Sequence, residues 1–221
     1  MVVSNYSFCF IISYGRSGST LLQGVLNSFD GYCIRGENGC VLLPIFRAYK
    51  ILRDAKNKHV GKPTPVTSAW YGIENTDPES LAAELTASFI KYVIRPDDKA
   101  SVIGFKEIRY IASQFSDGEF ADFMSFLDKQ FPDSCFIFNS RNLSNVASSK
   151  WWADKPNAHS RLVETEELMK NTMREYFQKS FWIRYEDYTT NPESLQSLPN
   201  FLGEEFNLAK VKHVLEARHS Y

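Results

Sequence analysis

Apolar and polar positions along the chain follow two rhythms. Five short stretches, SFCFIIS (7–13), GYCIR (31–35), SVIGFKEI (101–108), CFIFN (135–139) and FWIRY (181–185), are rich in β-branched, aromatic and other apolar residues. The first and fourth are continuous apolar runs, as expected of strands covered on both faces. Between them apolar residues recur at helical spacing over 18–29, 41–56, 78–93, 119–130, 142–152 and about 159–179, with two further helices expected near the C-terminus. Strands alternating with helices predict an α/β fold of three layers, α/β/α, around a mostly parallel sheet of about five strands. Asp77 before Pro78 and Asn191 before Pro192 pair a capping side chain with a proline at the first helical position, so both mark helix starts. Residues 57–77, NKHVGKPTPVTSAWYGIENTD, carry neither period; so long a loop reads either as a lid on an acceptor site or as a surface loop.

A chain of 221 residues suits one domain covering 1–221. With 43% hydrophobic residues and a formal charge of −1 it has no basic excess for gripping nucleic acid through its phosphates. Cys9, Cys33, Cys40 and Cys135 form no CxxC pair, which argues against zinc and against a disulfide framework. The apolar stretch at 8–13 falls far short of the ~20 residues a membrane helix needs, so the expectation is a cytoplasmic protein without membrane insertion.

Chemistry concentrates after the first strand, in YGRSGSTLL (14–22). A strand entering a glycine-serine turn and then a helix aims backbone N–H groups and the positive end of a helix dipole at one point, which suits a phosphate. The nucleoside-triphosphate version of this loop is G-x-x-x-x-G-K-[ST]. Here Ser13 stands at the first glycine and Ser19 at the lysine, and CFIFNSR ends in Asn139 where a magnesium-binding aspartate would close the strand. Arg16 supplies a positive charge instead, as a planar fork that can take two oxygens of a phosphate or sulfate.

This loop resembles the 5′-phosphosulfate-binding loop of sulfotransferases that use 3′-phosphoadenosine 5′-phosphosulfate (PAPS). The segment after the fourth strand, SRNLSNVASSKWW, resembles that family's 3′-phosphate-binding segment, with Arg141 at the strand end and Ser149 eight residues on. FWIRYEDYTTNPESLQSLPNFLG (181–203) is similar to its later strand and helix, where Tyr185, Glu186 and Asp187 read as structural. The resemblance implies a P-loop-like sulfotransferase fold, PAPS as donor, 3′-phosphoadenosine 5′-phosphate (PAP) as product, no metal, and a carbohydrate or small-metabolite acceptor. It places Arg16, Ser17, Gly18, Ser19 and Thr20 around the phosphosulfate and Arg141 and Ser149 on the 3′-phosphate. CIRGE resembles the segment carrying the catalytic glutamate of bacterial sugar sulfotransferases, which makes Glu37 the expected general base, against a plain surface glutamate paired with Arg35.

Lys106, at the end of the third strand, is the candidate for neutralising leaving-group charge, with Arg109 three residues on; the alternative is a lysine salt-bridged to Glu107. His59 and His159 are rival bases. Trp70 and Tyr71 in the long loop would suit a sugar, and Arg35, Arg47 and Arg53 an acidic acceptor. Arg218 stands in for a missing C-terminal arginine-lysine-glycine segment, and Trp151 and Trp152 read as core or lid residues. Two other functions stay open: a P-loop kinase of small molecules using ATP and magnesium, and a nucleotide-binding module without catalysis.

Overall fold

A computed structural model describes residues 4–61 and 64–216. Five strands, β1 (Phe8–Ile12), β2 (Tyr32–Arg35), β3 (Val102–Glu107), β4 (Ser134–Ser140) and β5 (Ser180–Arg184), form one sheet in the order β2-β3-β1-β4-β5. Every pairing is parallel. Each apolar run thus becomes a strand, and the run with the fewest polar residues, β1, takes the centre, where Cys9, Phe10, Ile11 and Ile12 are all buried.

Side chains of successive strand residues point to opposite faces, and the core follows that period. On one face Cys9, Ile11, Cys135 and Ile137 pack with Leu22, Val25 and Leu26 of α1 (Ser19–Leu26). Tyr188 of α7 (Tyr185–Thr190), Leu198 and Leu202 of α8 (Ser197–Leu202) and Val211 of α9 (Leu208–Glu216) complete this layer. On the other face Phe10 meets Phe105, Phe131 and Phe136 with ring centroids 4.9, 5.0 and 6.0 Å apart. There α4 (Glu119–Gln130) buries Phe120, Phe123, Met124, Phe126 and Leu127, and α6 (Ala158–Glu175) buries Leu162 and Met169. Each aromatic side chain so buried stabilises the fold by about 1.5–3 kcal/mol.

The chain divides at Gly39/Cys40 and Arg95/Pro96 into two compact units, the sheet-bearing one and an inserted one of residues 40–95. Within the insert, α2 (Leu42–Asn57) packs on α3 (Pro78–Phe89), and a π-helical turn, Ile90–Ile94, ends it. Asp77 caps α3 as expected, accepting the N–H of Ser80 at 3.1 Å. The aperiodic segment folds on itself: Thr64 donates its hydroxyl to Glu74 (2.6 Å) and accepts the Gly72 N–H (3.3 Å), while the Trp70 ring lies 5.2 Å from that of His59.

Three helical expectations are corrected. The stretch 142–152 is broken: α5 (Leu143–Ala147) stops, Ser149 turns extended, and a 3-10 turn follows at Lys150–Trp152, with Lys150 at φ +46°. Ser148 Oγ donates back to the Ser144 carbonyl, a side-chain bond that competes with helix continuation. Asn191 does accept the Glu193 N–H at 3.1 Å, but it caps a 3-10 turn, Pro192–Gln196, rather than an α-helix. Among the described residues the C-terminal region carries three α-helices, α7 to α9, where two were expected. Among the described residues no helix is long and apolar enough to cross a membrane.

Gly104, in the middle of β3, lets two strands approach. A Cβ there would lie 1.8 Å from the carbonyl oxygen of Cys9, which is backbone and has nowhere to move. Gly104→Ala is therefore expected to lower the free energy of unfolding by about 1–3 kcal/mol or more, read as a fall in denaturant midpoint at unchanged slope.

Candidate active site

Parallel strands bring the loops that leave β1, β2, β3 and β4 to one edge of the sheet, the carboxyl edge where open α/β sheets hold ligands. The β1 loop is fixed from below. Ser13 and Ser17 are both fully buried. Ser13 Oγ lies 2.6 Å from Ser17 Oγ and 2.6 Å from the Asn139 carbonyl oxygen. Ser13 has a single hydroxyl proton and the carbonyl can only accept, so Ser13 donates to Asn139 and accepts from the Ser17 hydroxyl. The Ser17 hydroxyl thus faces into the fold, and only its backbone faces the loop.

Asn139, at the position where a triphosphatase would place its metal-binding aspartate, is spent on support. It donates from Nδ2 to the Ser17 carbonyl (2.9 Å), and its Oδ1 accepts from the Tyr188 hydroxyl (3.2 Å). Burial pushes the Tyr188 phenol up, keeping it a donor. Tyr14 behaves alike: burial first, then its hydrogen bond to Glu166, raise its pKa. Its hydroxyl donates to Glu166 Oε1 (2.7 Å) and accepts the Arg141 N–H (2.9 Å).

Two backbone positions in the loop are left-handed, Arg16 (φ +69°) and Gly18 (φ +83°). Gly18 caps α1, and a Cβ there would strike the Tyr185 ring at 2.1 Å. The first N–H groups of α1 lack intrahelical acceptors, as at any helix start, and this edge presents them.

A second wall comes from beyond β4. Arg141 donates from Nη1 to the Arg16 carbonyl (3.0 Å), and its guanidinium carbon sits 4.4 Å from the centroid of the Tyr185 ring. Arg16 in turn donates from Nε to Ser149 Oγ (3.2 Å). The break after α5, invisible in the spacing of Arg141 and Ser149, is what carries Ser149 to Arg16. Among the described residues Arg141 Nε is buried without a hydrogen-bond partner. Trp152, buried, donates its indole N–H to the Gly15 carbonyl (3.0 Å) and stacks on Trp151, centroids 4.6 Å apart.

The third wall joins the loop after β2 to the end of β3. Lys106 Nζ lies 2.6 Å from Glu37 Oε1; the lysine side chain is 5% exposed and the glutamate 36%. The pairing differs from both simple alternatives in the sequence. Arg35 bridges Asp97 (3.3 Å), and Glu107 turns to backbone N–H groups.

These walls enclose a cleft of about 790 Å³ lined by Gly15, Arg16, Gly18, Ser19, Thr20, Leu21, Glu37, Lys106, Ile108, Arg141, Trp151, Tyr185 and Leu215. Of the residues expected there, Arg16, Gly18, Ser19, Thr20, Glu37, Lys106 and Arg141 line it, while Ser149 reaches it through Arg16. Arg109 is exposed and outside the lining, and His159 lies on the exposed side of α6. His59, Arg47, Arg53, Trp70 and Tyr71 belong to the inserted unit, and Arg218 lies outside the described residues. Trp151, 41% exposed, is a cleft residue and not core, and Tyr185 lines the cleft as well as packing. A pair of tryptophans one residue beyond the ligand-segment serine, in SSKWW, was the available signal for the first; nothing in YEDY marked the second.

No curated protein matches the chain. Among solved structures, the sulfotransferase domain from the Synechococcus PCC 7002 olefin synthase is similar over 92% of this chain and 75% of that one, with 20% identity and a TM-score of 0.59. The sulfotransferase domain from the curacin biosynthetic pathway is similar over 95% of this chain and 78% of that one, with 18% identity and a TM-score of 0.58. At such identities these likenesses speak for the fold, which is the three-layer α/β arrangement the sequence pattern predicts. The model of the family described as "Sulfotransferase family" matches residues 9–207, from β1 to just short of α9. The chain therefore belongs to the sulfotransferase family, as the resemblance read from its sequence leads one to expect.

Proposed function

We propose that the protein transfers the sulfuryl group of PAPS to a hydroxyl or amine of a carbohydrate or other small metabolite, with Glu37 as general base and without a metal. The observation that carries this reading is Arg16, which hydrogen-bonds Ser149 and accepts Arg141 on its carbonyl while lining the same cleft as the Glu37–Lys106 pair. One residue thereby joins the loop suited to a phosphosulfate to the pair suited to a 3′-phosphate.

The donor set fits a nucleotide with two anionic ends. Three cations, Arg16, Lys106 and Arg141, line the cleft beside the start of α1, and the buried Arg141 Nε still has a hydrogen bond to give. When bound, PAPS supplies a sulfuryl group already activated by a phosphate leaving group. Arg16 and the amides of α1 would hold the phosphosulfate oxygens, and Arg141 with Ser149 the 3′-phosphate. Glu37 binds Lys106 through Oε1, leaving Oε2 to take the proton of the acceptor as its oxygen or nitrogen bonds to sulfur. The Lys106 ammonium, in the same cleft, would offset the charge that develops on the departing phosphate oxygen.

The kinase reading is disfavoured by Asn139, which replaces the metal-binding carboxylate and is occupied on both sides of its amide. Calorimetry separates the two. PAP is expected to bind without magnesium at least about tenfold more tightly than ATP with it, a margin of ~1.4 kcal/mol. Equal binding would remove the sulfotransferase reading. PAP release from PAPS across an acceptor panel then distinguishes an enzyme from a binding module.

A further inference from the structure

Glu107 closes β3 one residue after Lys106 and is fully buried, yet it is not a cleft residue. A carboxyl group so deep is costly unless hydrogen-bonded, and here the bonds tie three loops together. Oε1 accepts the N–H groups of Ile108 (3.0 Å) and Arg109 (3.2 Å), shaping the turn after β3. Oε2 accepts the N–H of Asn38 (3.4 Å) in the loop after β2. The Glu107 carbonyl takes the N–H of Ser13, where the β1 loop begins (3.1 Å). The Asn38 N–H belongs to the peptide unit that joins it to Glu37, so its capture fixes the plane from which the Glu37 side chain departs. Neighbouring strand residues project to opposite sides: Lys106 enters the cleft to meet Glu37, and Glu107 anchors from behind.

We infer that Glu107 is a positioning residue for proton transfer at Glu37, clamping the Glu37–Asn38 peptide to the end of β3 so that the carboxylate stays on Lys106. The inference rests on the role proposed above for Glu37. Glu107→Gln tests it, since the side chain keeps its length while one accepting oxygen becomes an amino group that cannot accept. Amide hydrogen exchange over 36–39 is expected to rise at least about tenfold, with β1 and the 13–18 loop still protected. With PAPS as donor and p-nitrophenol offered as acceptor, PAP release is expected to slow in kcat by roughly 10- to 100-fold. KM for PAPS and the calorimetric affinity for PAP should stay within about twofold of the parent, and in a Glu37→Gln background the same change should cost less than about twofold.

Equal losses in both backgrounds, PAP affinity falling in step with kcat, or unchanged exchange over 36–39 would each overturn the inference. If Glu107→Gln does not fold, Glu107→Asp, which withdraws the oxygens by one methylene, goes through the same measurements under the same criteria. A parent protein that neither binds PAP nor consumes PAPS would defeat the proposed function instead, and the exchange data would still decide whether the clamp exists.

Discussion

Glu37→Gln is expected to reduce sulfuryl transfer by roughly 10²- to 10⁴-fold, the usual contribution of a positioned general base. The amide keeps the shape of the side chain and retains an oxygen for Lys106, which lies 2.6 Å from Oε1, but it cannot accept a proton. PAP affinity should stay within about twofold, because the proposed donor contacts lie on the β1 and β4 loops. The check is kcat at saturating PAPS beside calorimetry with PAP. An unchanged kcat would clear Glu37 of the role and return attention to other cleft groups. Lys106, 5% exposed, loses its charge partner in this variant, so a fall in Tm should accompany the loss of rate.

Arg141→Ala is expected to weaken PAP by about 1.5–3 kcal/mol, roughly 10- to 150-fold, the usual size of a hydrogen bond to a charged group. Adenosine 5′-phosphate, which lacks the 3′-phosphate, should lose far less. That contrast matters because the side chain has structural partners of its own, the Arg16 carbonyl at 3.0 Å and the Tyr185 ring at 4.4 Å. Equal losses for the two nucleotides would mean that Arg141 acts by supporting the β1 loop and not by holding the phosphate. Arg141→Lys keeps the charge but not the fork, and should recover part of the affinity.

What the sequence revealed and what it hid divide along physical lines. Buried parallel strands need continuous apolar runs, so all five could be read within a residue or two of their ends. The β1 loop was legible because a left-handed cap needs glycine and an anion site needs hydroxyls and amides, and Gly18 and its neighbours state this locally. Long-range pairings were not legible. Glu37 and Lys106 each stand out in sequence, but nothing in either segment says that they meet. Asn139 reads as the lack of a metal ligand, whereas its work, holding Ser17 and Tyr188, depends on α7 folding back to the loop. GFKEIRY offers Glu107 only as an ion-pair partner for Lys106, whereas in the structure it is fully buried and accepts backbone N–H groups of the loops after β2 and β3. Ser149 was placed on the wrong element because helix propensity does not register a single residue, Lys150, held at positive φ.

The placement of β1 has a consequence for how the molecule is made. Phe8 pairs with Ile103 on one side and Ser134 on the other, so the most apolar strand waits for partners synthesised about a hundred residues later. Closing such distant contacts is entropically slow, and in the interval a bare apolar ribbon is open to intermolecular pairing. Recombinant yield should therefore respond to co-expressed chaperones and to slower translation at low temperature more strongly than the melting point of the finished protein would suggest.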